Sequence, residues 1–219
     1  MKIRLLLLTV IAVLTSQAGS LFKKTNPPQY ETLQTGDIVF QDTGGAQGAA
    51  IQEATQSKFT HCGVVFESEE KLYVLEAIQP VRATPLKTWK ARSKIFHARR
   101  LRDRTALDDA AFEKSVKWGK RQIGKDYDLL FKWGDEKLYC SELVWKIYKH
   151  GTGIKLCEPK TFQAYFLQDP KVSKIIQARY GSLEDFPKNE PVVAPSDLAK
   201  SALLEEVPRR KKKKSTLGT

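Results

Sequence analysis

The chain has 219 residues, of which 41% are hydrophobic, 10% are aromatic and 28% are charged. A chain of this length can build one sizeable core, and its aliphatic and aromatic content excludes a wholly disordered polymer. Lysine and arginine outnumber aspartate and glutamate by 37 to 25, which gives a formal net charge of +12 at pH 7. Such a surplus favours an anionic partner but says nothing about the fold.

Part of the surplus of positive charge lies at the start of the chain. Lys2 and Arg4 precede the apolar run Leu5–Leu14, which small and polar residues follow up to Ala18. This order is typical of a secretory signal peptide, and the run is too short to span a bilayer, which needs about twenty residues. Residues 1–18 are therefore predicted to be a signal peptide cleaved near Ala18, and the mature protein is expected to be periplasmic or secreted.

A basic block lies near the other end. It consists of Arg209, Arg210, Lys211, Lys212, Lys213 and Lys214. Like charges in a run repel one another, so residues 209–219 are predicted to be a disordered tail that either solubilises the chain or contacts an anionic membrane or envelope polymer. Because export is expected, nucleic acid is not an expected partner. Without the two signal charges and the six tail charges, +12 falls to +4.

In chain order, short apolar runs predict strands, and apolar residues spaced three to four apart predict helices. The predicted strands cover residues 36–40, 61–66, 72–77 and 94–101. The predicted helices cover residues 49–54, 106–123, 140–148 and 196–206. Gly151 is expected to stop the third of these helices, and Ser196 to cap the fourth. Strands in the middle of the chain, with helices before and after, predict an α+β domain with a mostly antiparallel sheet.

The cysteine count points towards thiol chemistry. There are three cysteines, Cys62, Cys140 and Cys157. In an exported chain an odd count leaves at least one free thiol or implies an intermolecular disulfide. No pair of cysteines has the spacing of a zinc site and the three histidines are scattered, so no metal is expected.

Cys140 stands at the start of a predicted helix. The unpaired N–H groups and the positive dipole end of a helix N-terminus stabilise a thiolate, which lowers the cysteine pKa below its usual value of about 8.5. The same N–H groups can hold an oxyanion once an acyl group is attached to the sulfur. The alternative is a small buried hydrophobic residue, the commonest role of a free cysteine.

His61 and Glu76 lie on neighbouring predicted strands. If residues 67–70 form a four-residue hairpin loop, His61 lies directly opposite Glu76 on the same face, whereas a slip of one residue pairs Glu76 with Cys62. The alternatives are a structural histidine and a solvent-exposed glutamate. With Cys140, the pair makes a Cys–His–Glu arrangement, in which the histidine takes the thiol proton and the carboxylate orients the imidazole.

Several segments of the chain then match one known family. In order, they are Thr35–Phe40, Phe59–Val65, Val74–Ala77, Pro80–Val81, Thr84–Trp89, Gly124–Asp128 and Tyr139–Tyr148. Over roughly residues 30–200 the chain resembles the YiiX group of permuted papain-like cysteine hydrolases in the NlpC superfamily. It is also similar to lecithin retinol acyltransferase, which uses the same permuted core on lipids. The Tyr-Cys-Ser-Glu segment before the amphipathic helix is the most specific part of the match.

The resemblance implies a fold and an assignment of site residues. The fold is an α+β, circularly permuted papain-like (NlpC-type) fold, with an antiparallel sheet packed against helices and the catalytic cysteine at a helix N-terminus. Its catalytic domain would span residues 30–187, and residues 188–208 would be a C-terminal extension with a helix. Cys140 matches the nucleophile, His61 the base and Glu76 the third catalytic residue, while Tyr139 is expected to line the oxyanion site. No cofactor is implied.

One position departs from the family pattern. Cys62 stands where an apolar residue or threonine is more usual. Because strand side chains alternate, its side chain points away from the face of His61. Cys62 is therefore predicted to pack in the core.

Three functions remain open from the sequence. The first is an exported cysteine peptidase or amidase that forms an acyl-enzyme with a peptide or acyl-amide substrate, with cell-wall peptides such as peptidoglycan fragments expected from the compartment. The second is a lipid ester or thioester acyl hydrolase or acyltransferase with the same Cys–His pair, which an apolar groove beside Cys140 would favour. The third is a non-catalytic envelope-binding module that attaches through the basic tail.

Overall fold

The computed structural model describes residues 33–105 and 108–208, so the predicted signal peptide and basic tail lie outside the described residues. The strands are β1 Ile38–Gln41, β2 His61–Ser68, β3 Lys71–Glu76, β4 Arg82–Pro85, β5 His97–Leu101, β6 Lys160–Thr161, β7 Pro191–Val192 and β8 Leu204–Glu206. The helices are α1 Gly45–Thr55, α2 Leu86–Ala91, α3 Asp109–Lys120, α4 Cys140–Thr152, α5 Pro170–Tyr180 and α6 Pro195–Ala199. None of the helices in these two ranges is long and apolar enough to cross a membrane.

The centre of the fold is a six-stranded sheet in the order β4-β3-β2-β1-β5-β8. Every neighbouring pair in it is antiparallel. A separate pair, β6 with β7, is also antiparallel. The predicted α+β class with an antiparallel sheet and helices is therefore confirmed.

Both faces of the sheet are buried, which explains why its central strands are apolar on both sides. On one face, Phe40 and Val64 pack with Val144 and Ile147 of α4 in the main core. Helix α3 lies against α4 on this side. On the other face, Val39, Val65 and Val74 pack with Trp89 and Phe96 in a smaller core.

The β2–β3 hairpin is tighter than the sequence suggested. Ser68 pairs with Lys71, so the loop is the two residues Glu69 and Glu70, and the predicted four-residue loop is wrong. Both loop residues have positive φ, 50° and 58°, as tight two-residue hairpins of type I′ require. The register shifts by two residues from the predicted one, and a shift of two keeps every side chain on its predicted face.

Helix α4 extends beyond its predicted stop. Gly151 lies inside the helix, which ends at Thr152 and is capped by Gly153 in the left-handed conformation, with φ of 77°. A Cβ on Gly151 would lie 2.3 Å from Cα of Ser115 in α3. Gly151 therefore permits close packing of the two helices and does not end α4.

The predicted helix over residues 196–206 is also wrong in length and in its cap. Helix α6 covers Pro195–Ala199, and its N-cap is Ala194. The following residues form β8, where Leu204 pairs with Leu101 of the main sheet. The apolar spacing of this segment predicted a helix, but its last residues pair with the edge of the main sheet and form a strand.

Candidate active site

Cys140 is the first residue of α4 and is 3% exposed. Tyr139 before it has extended backbone, and its carbonyl accepts the first helical hydrogen bond, from the Leu143 N–H. The Glu142 carboxylate accepts from the N–H groups of Gly134 and Tyr139, at 3.0 and 3.4 Å, which fixes the chain as it enters the helix. The Cys140 N–H has no carbonyl one turn earlier within the helix, and so remains a donor for a bound oxyanion.

His61 is the first residue of β2 and is 4% exposed. Its Nε2 lies 2.6 Å from Oε2 of Glu76. The imidazole also interacts with the Cys140 thiol, and this interaction raises the pKa of His61. Because the carboxylate occupies Nε2, Nδ1 is the ring atom left to exchange a proton with the thiol. The structure thus brings together the three residues that the sequence singled out, with Glu76 diagonal to His61 across the strands and not directly opposite.

Glu76 is fully buried and is held by donors from two further elements. Its Oε1 accepts from Thr84 Oγ1 at 2.6 Å, and its Oε2 accepts from Trp89 Nε1 at 2.8 Å. Arg92, just after α2, donates to both oxygens at 2.8 and 3.0 Å. Burial raises the pKa of Glu76, but hydrogen bonds from His61 and Thr84 and the charge of Arg92 outweigh it and lower the pKa to about 2. Glu76 is therefore ionised at neutral pH.

The sequence did not assign a role to Thr84, Trp89 or Arg92. A signal was available, because a glutamate inside an apolar strand needs buried donors, and the next strand and helix bring Thr84, Trp89 and Arg92 within reach. Trp89 also stacks on His61, with ring centroids 6.0 Å apart.

The pKa of His61 is raised, whereas the pKa of Cys140 is lowered. Burial alone lowers the pKa of His61, but hydrogen bonding with Cys140 and Glu76 raises it to about 9. The Cys62 thiol makes the largest contribution to lowering the pKa of Cys140, burial opposes it, and His61 adds to the lowering. At neutral pH the site therefore favours a thiolate–imidazolium pair.

Cys62 packs in the main core, as predicted from the sequence. Its side chain is fully buried in the main core and points away from the His61 face, as expected. That orientation directs it towards the side of α4, and its interaction with Cys140 lowers the pKa of Cys140 and adds to the rise in the pKa of Cys62. The strand alternation was predicted correctly, but the sequence could not show that α4 would start on this face.

Two tyrosines lie beside the thiol. Tyr139 lines the groove at Cys140, but its hydroxyl is engaged, because it accepts the Val193 N–H at 3.2 Å. Tyr127 was not singled out from the sequence. Its hydroxyl accepts from Gln47 Nε2 at 3.1 Å, and burial together with the charge of Cys140 raises its pKa well above the usual range.

An apolar groove of about 800 Å³, including its open mouth, begins at Cys140. Helices α1 and α5 form two of its walls, and Arg179 is the charged residue in its lining. The aromatic and larger aliphatic residues that line it are Ile51, Tyr127, Phe131, Tyr139, Phe162, Tyr165, Leu167, Val172, Ile175, Ile176, Tyr180, Phe186, Val192 and Val193. No aspartate or glutamate of the described residues lines it.

A second, more polar cleft lies on the His61 side. Its polar lining consists of Thr43, Gln47, Thr60, His61, Gln79 and Tyr127. Gln47 and Tyr127 line both the cleft and the apolar groove, so their hydrogen bond stands between the two. The reacting residues therefore lie where an apolar and a polar compartment meet.

Comparison with known proteins identifies the family. The model of the family described as "Permuted papain-like amidase enzyme, YaeF/YiiX, C92 family" matches residues 32–208. The uncharacterised YiiX protein of Escherichia coli strain K12 is 37% identical over 164 residues, which are 74% of this chain and 79% of YiiX. A crystal structure of YiiX from Escherichia coli O157:H7 has a TM-score of 0.75 and 36% identity, and the match covers 81% of this chain and 97% of that one.

The YiiX crystal structure is described as that of a metalloprotein. Within residues 33–105 and 108–208 of this chain, no group of three or more His, Cys, Asp or Glu side chains is arranged to hold a metal ion. The family match and the YiiX relatives confirm the permuted papain-like fold predicted from the sequence. The chain belongs to the permuted papain-like amidase family of YaeF and YiiX.

Proposed function

We propose that the protein is a cysteine amidase that hydrolyses the bond between an apolar acyl group and an amine through Cys140, His61 and Glu76. The observation that carries this proposal is the apolar groove that begins at the nucleophile. The family supports amide chemistry, and the groove supports an acyl chain on the carbonyl side of the bond.

The proposed reaction has two halves. The Cys140 thiolate adds to the amide carbonyl, and the Cys140 N–H at the start of α4 donates to the oxyanion. The His61 imidazolium then protonates the leaving amine as the C–N bond breaks, which leaves a thioester on Cys140. The neutral imidazole next takes a proton from water, whose oxygen adds to the thioester, and the carboxylic acid leaves as the thiolate reforms. Glu76 stays ionised and supports the imidazolium in both halves.

In this proposal, the apolar groove takes the acyl half of the substrate and the polar cleft takes the amine half. The acyl chain enters the groove, where Phe131, Phe162 and Ile176 supply apolar contacts that remove it from water. The amine leaves on the His61 side, where Thr43, Thr60 and neighbouring polar groups can solvate it. His61 lines this polar cleft and therefore stands where the leaving nitrogen needs a proton.

The groove favours an acyl substrate over the cell-wall peptides expected from the compartment. Peptidoglycan peptides are polar and charged, and burial of such groups in a lining without carboxylates costs free energy unless each finds a partner. An aliphatic chain has no such requirement. Esters and thioesters of the same acyl group would form the same acyl-enzyme on Cys140.

The test uses purified protein and a series of acyl amides of one amine with acetyl, hexanoyl and dodecanoyl groups, with the matching esters and thioesters. We expect kcat/KM to rise with chain length, and mass spectrometry to find the acyl group on Cys140. Cys140→Ala should abolish both signals, while Cys157→Ala is the control that keeps them. Hydrolysis that survives in Cys140→Ala, or a preference for acetyl and short peptides, would contradict the proposal.

We also propose that the protein works outside the cytoplasm and that its basic block contacts an anionic surface. The support is the charge pattern of residues 1–18 and 209–214. N-terminal sequencing of exported protein should find a start near Ala18. Deletion of residues 209–219 should weaken binding to anionic vesicles, compared with neutral vesicles, and leave turnover of a soluble substrate unchanged. A chain that keeps its first 18 residues, or equal vesicle binding without the tail, would argue against these proposals.

A further inference from the structure

We propose that Arg92 is a positioning residue of this active site, which binds both oxygens of Glu76, offsets part of the carboxylate charge and so limits how firmly Glu76 holds the His61 imidazolium. The inference rests on the proposed function in one respect, that His61 gives up and takes back a proton during the reaction. Arg92 lines neither the apolar groove nor the polar cleft, so it acts through Glu76 and not on the substrate.

One short segment of the chain supplies the further donors around Glu76. Strand β4 carries Thr84 and runs directly into α2, which carries Trp89. Arg92 follows α2, and its backbone N–H donates to the Trp89 carbonyl at 3.3 Å, so the chain still has its helical course there. Residues three apart on a helix lie on the same side, and the side chains of Trp89 and Arg92 therefore reach the same carboxylate.

The guanidinium of Arg92 donates through two of its nitrogens. Its Nη1 lies 2.8 Å from Oε1 and 3.0 Å from Oε2 of Glu76, and its Nη2 lies 3.2 Å from Thr84 Oγ1. Because a guanidinium has no acceptor, the Thr84 oxygen accepts from Arg92, and the hydroxyl proton is left for Oε1 of Glu76 at 2.6 Å. The three side chains close a ring of hydrogen bonds that fixes the carboxylate in the orientation in which Oε2 meets His61.

Two cations share the charge of Glu76. The carboxylate is fully buried, its Oε2 lies 2.6 Å from His61 Nε2, and Arg92 forms an ion pair with Oε1 at 2.8 Å. Two positive charges on one carboxylate repel each other, so Arg92 weakens the net attraction that Glu76 exerts on the imidazolium. This affects both halves of the proposed reaction, because His61 must first release a proton to the leaving amine and then take one from water.

The imidazole has other titratable or charged neighbours. Cys140 of α4 raises the pKa of the imidazole, and Tyr127 lines the polar cleft beside it. Arg82 of β4 pairs in register with Glu76 but is exposed. Among the described residues, Arg92 is the only lysine or arginine that hydrogen-bonds Glu76. Its charge is therefore the one whose removal should change the hold of Glu76 on the imidazolium most directly.

The experiment follows the titration of the His61 imidazole by NMR, which needs no substrate. The chain has three histidines, so the His61 signals are assigned by their loss in His61→Gln. Arg92→Met keeps the length of the side chain and removes its charge, whereas Arg92→Lys keeps the charge. Because Glu76 stays ionised at the pH of this titration, we expect Arg92→Met to raise the His61 midpoint by on the order of half a pH unit. Arg92→Lys should keep the wild-type midpoint.

The matched control is Lys87→Met, which removes an exposed cation from α2 and should leave the His61 midpoint unchanged. Thermal unfolding of every variant shows whether the fold is kept. If the midpoint of Arg92→Met lies at or below that of the wild type, Arg92 only supports the local fold and the inference fails. It also fails if Arg92→Lys is displaced as far as Arg92→Met. The proposed function has a separate test, because it fails if Cys140→Ala still hydrolyses the acyl amide.

Discussion

At the scale of single residues, the site is built around one buried carboxylate. Glu76 accepts hydrogen bonds from His61, Thr84, Trp89 and Arg92, so each of its oxygens is fixed before substrate arrives. Truncating any of these donors leaves buried acceptor capacity unsatisfied, which costs about 1–3 kcal/mol. The orientation of His61 is therefore set by the whole group and not by Glu76 alone.

Replacing Glu76 by Gln tests its place as third catalytic residue. The amide keeps the size of the side chain but removes the charge that supports the imidazolium, so we expect kcat/KM to fall about 10²- to 10⁴-fold. Steady-state kinetics on the preferred acyl amide measures the effect. Glu67→Gln, at an exposed position of the same hairpin, is the control. Near-normal turnover of the Glu76 variant would remove it from the catalytic group.

The pH dependence of kcat/KM follows from the shifts at His61 and Cys140. The imidazolium is present below about pH 9 and is lost above it, so activity should fall as the pH rises through about 9. Protonation of the thiolate, whose pKa is lowered, should produce a second fall only at acidic pH. A pH–rate profile of the wild-type protein measures both limbs. An alkaline limb near pH 6.5, the ordinary value for histidine, would show that His61 and Cys140 do not form the ion pair.

At the scale of elements, the sequence predicted correctly which face of the sheet a side chain occupies. It predicted poorly where strands and helices end. The alternation of β2 correctly placed His61 and Glu76 on one face. The hairpin loop was missed because Glu69 and Glu70 are not typical residues for positive φ. The stop of α4 was missed because a glycine marks either a helix end or a close approach of two elements, and the packing partner Ser115 is distant in sequence.

The close approach of α3 and α4 at Gly151 can be tested by substitution. In Gly151→Ala the new methyl would meet the Ser115 backbone, so α3 and α4 must separate, at a cost of about 1–3 kcal/mol of unfolding free energy. Because α4 carries Cys140, kcat should fall as well. Chemical denaturation and kinetics measure the two effects. Gly134→Ala, where the Cβ meets nothing within 4 Å, should change neither. A Gly151→Ala protein as stable as wild type would contradict the tight contact.

At the scale of the whole molecule, the groove is the feature that sequence patterns could least reveal. Its walls come from α1 and α5, which begin more than a hundred residues apart, and from the segment around Phe162 and Phe186. Each apolar residue there could equally belong to a core. The groove exists only once α1 and α5 have come together in the folded protein. An ion pair between Lys171 and Glu53, at 2.5 Å, joins the two helices.

The size of this space predicts the chain-length preference. Ala54 lines the groove from α1, so Ala54→Phe should fill part of it and exclude a long acyl chain, while a short chain still reaches Cys140. We expect kcat/KM for the dodecanoyl amide to fall about tenfold or more, as loss of one to two buried methylene contacts implies, with that for the acetyl amide unchanged. Ala46→Phe, at an exposed position of α1 outside the groove, is the control and should change neither value. Equal loss on both substrates would mean that the substitution disturbs the site itself, and an unchanged dodecanoyl rate would place the acyl chain outside the groove.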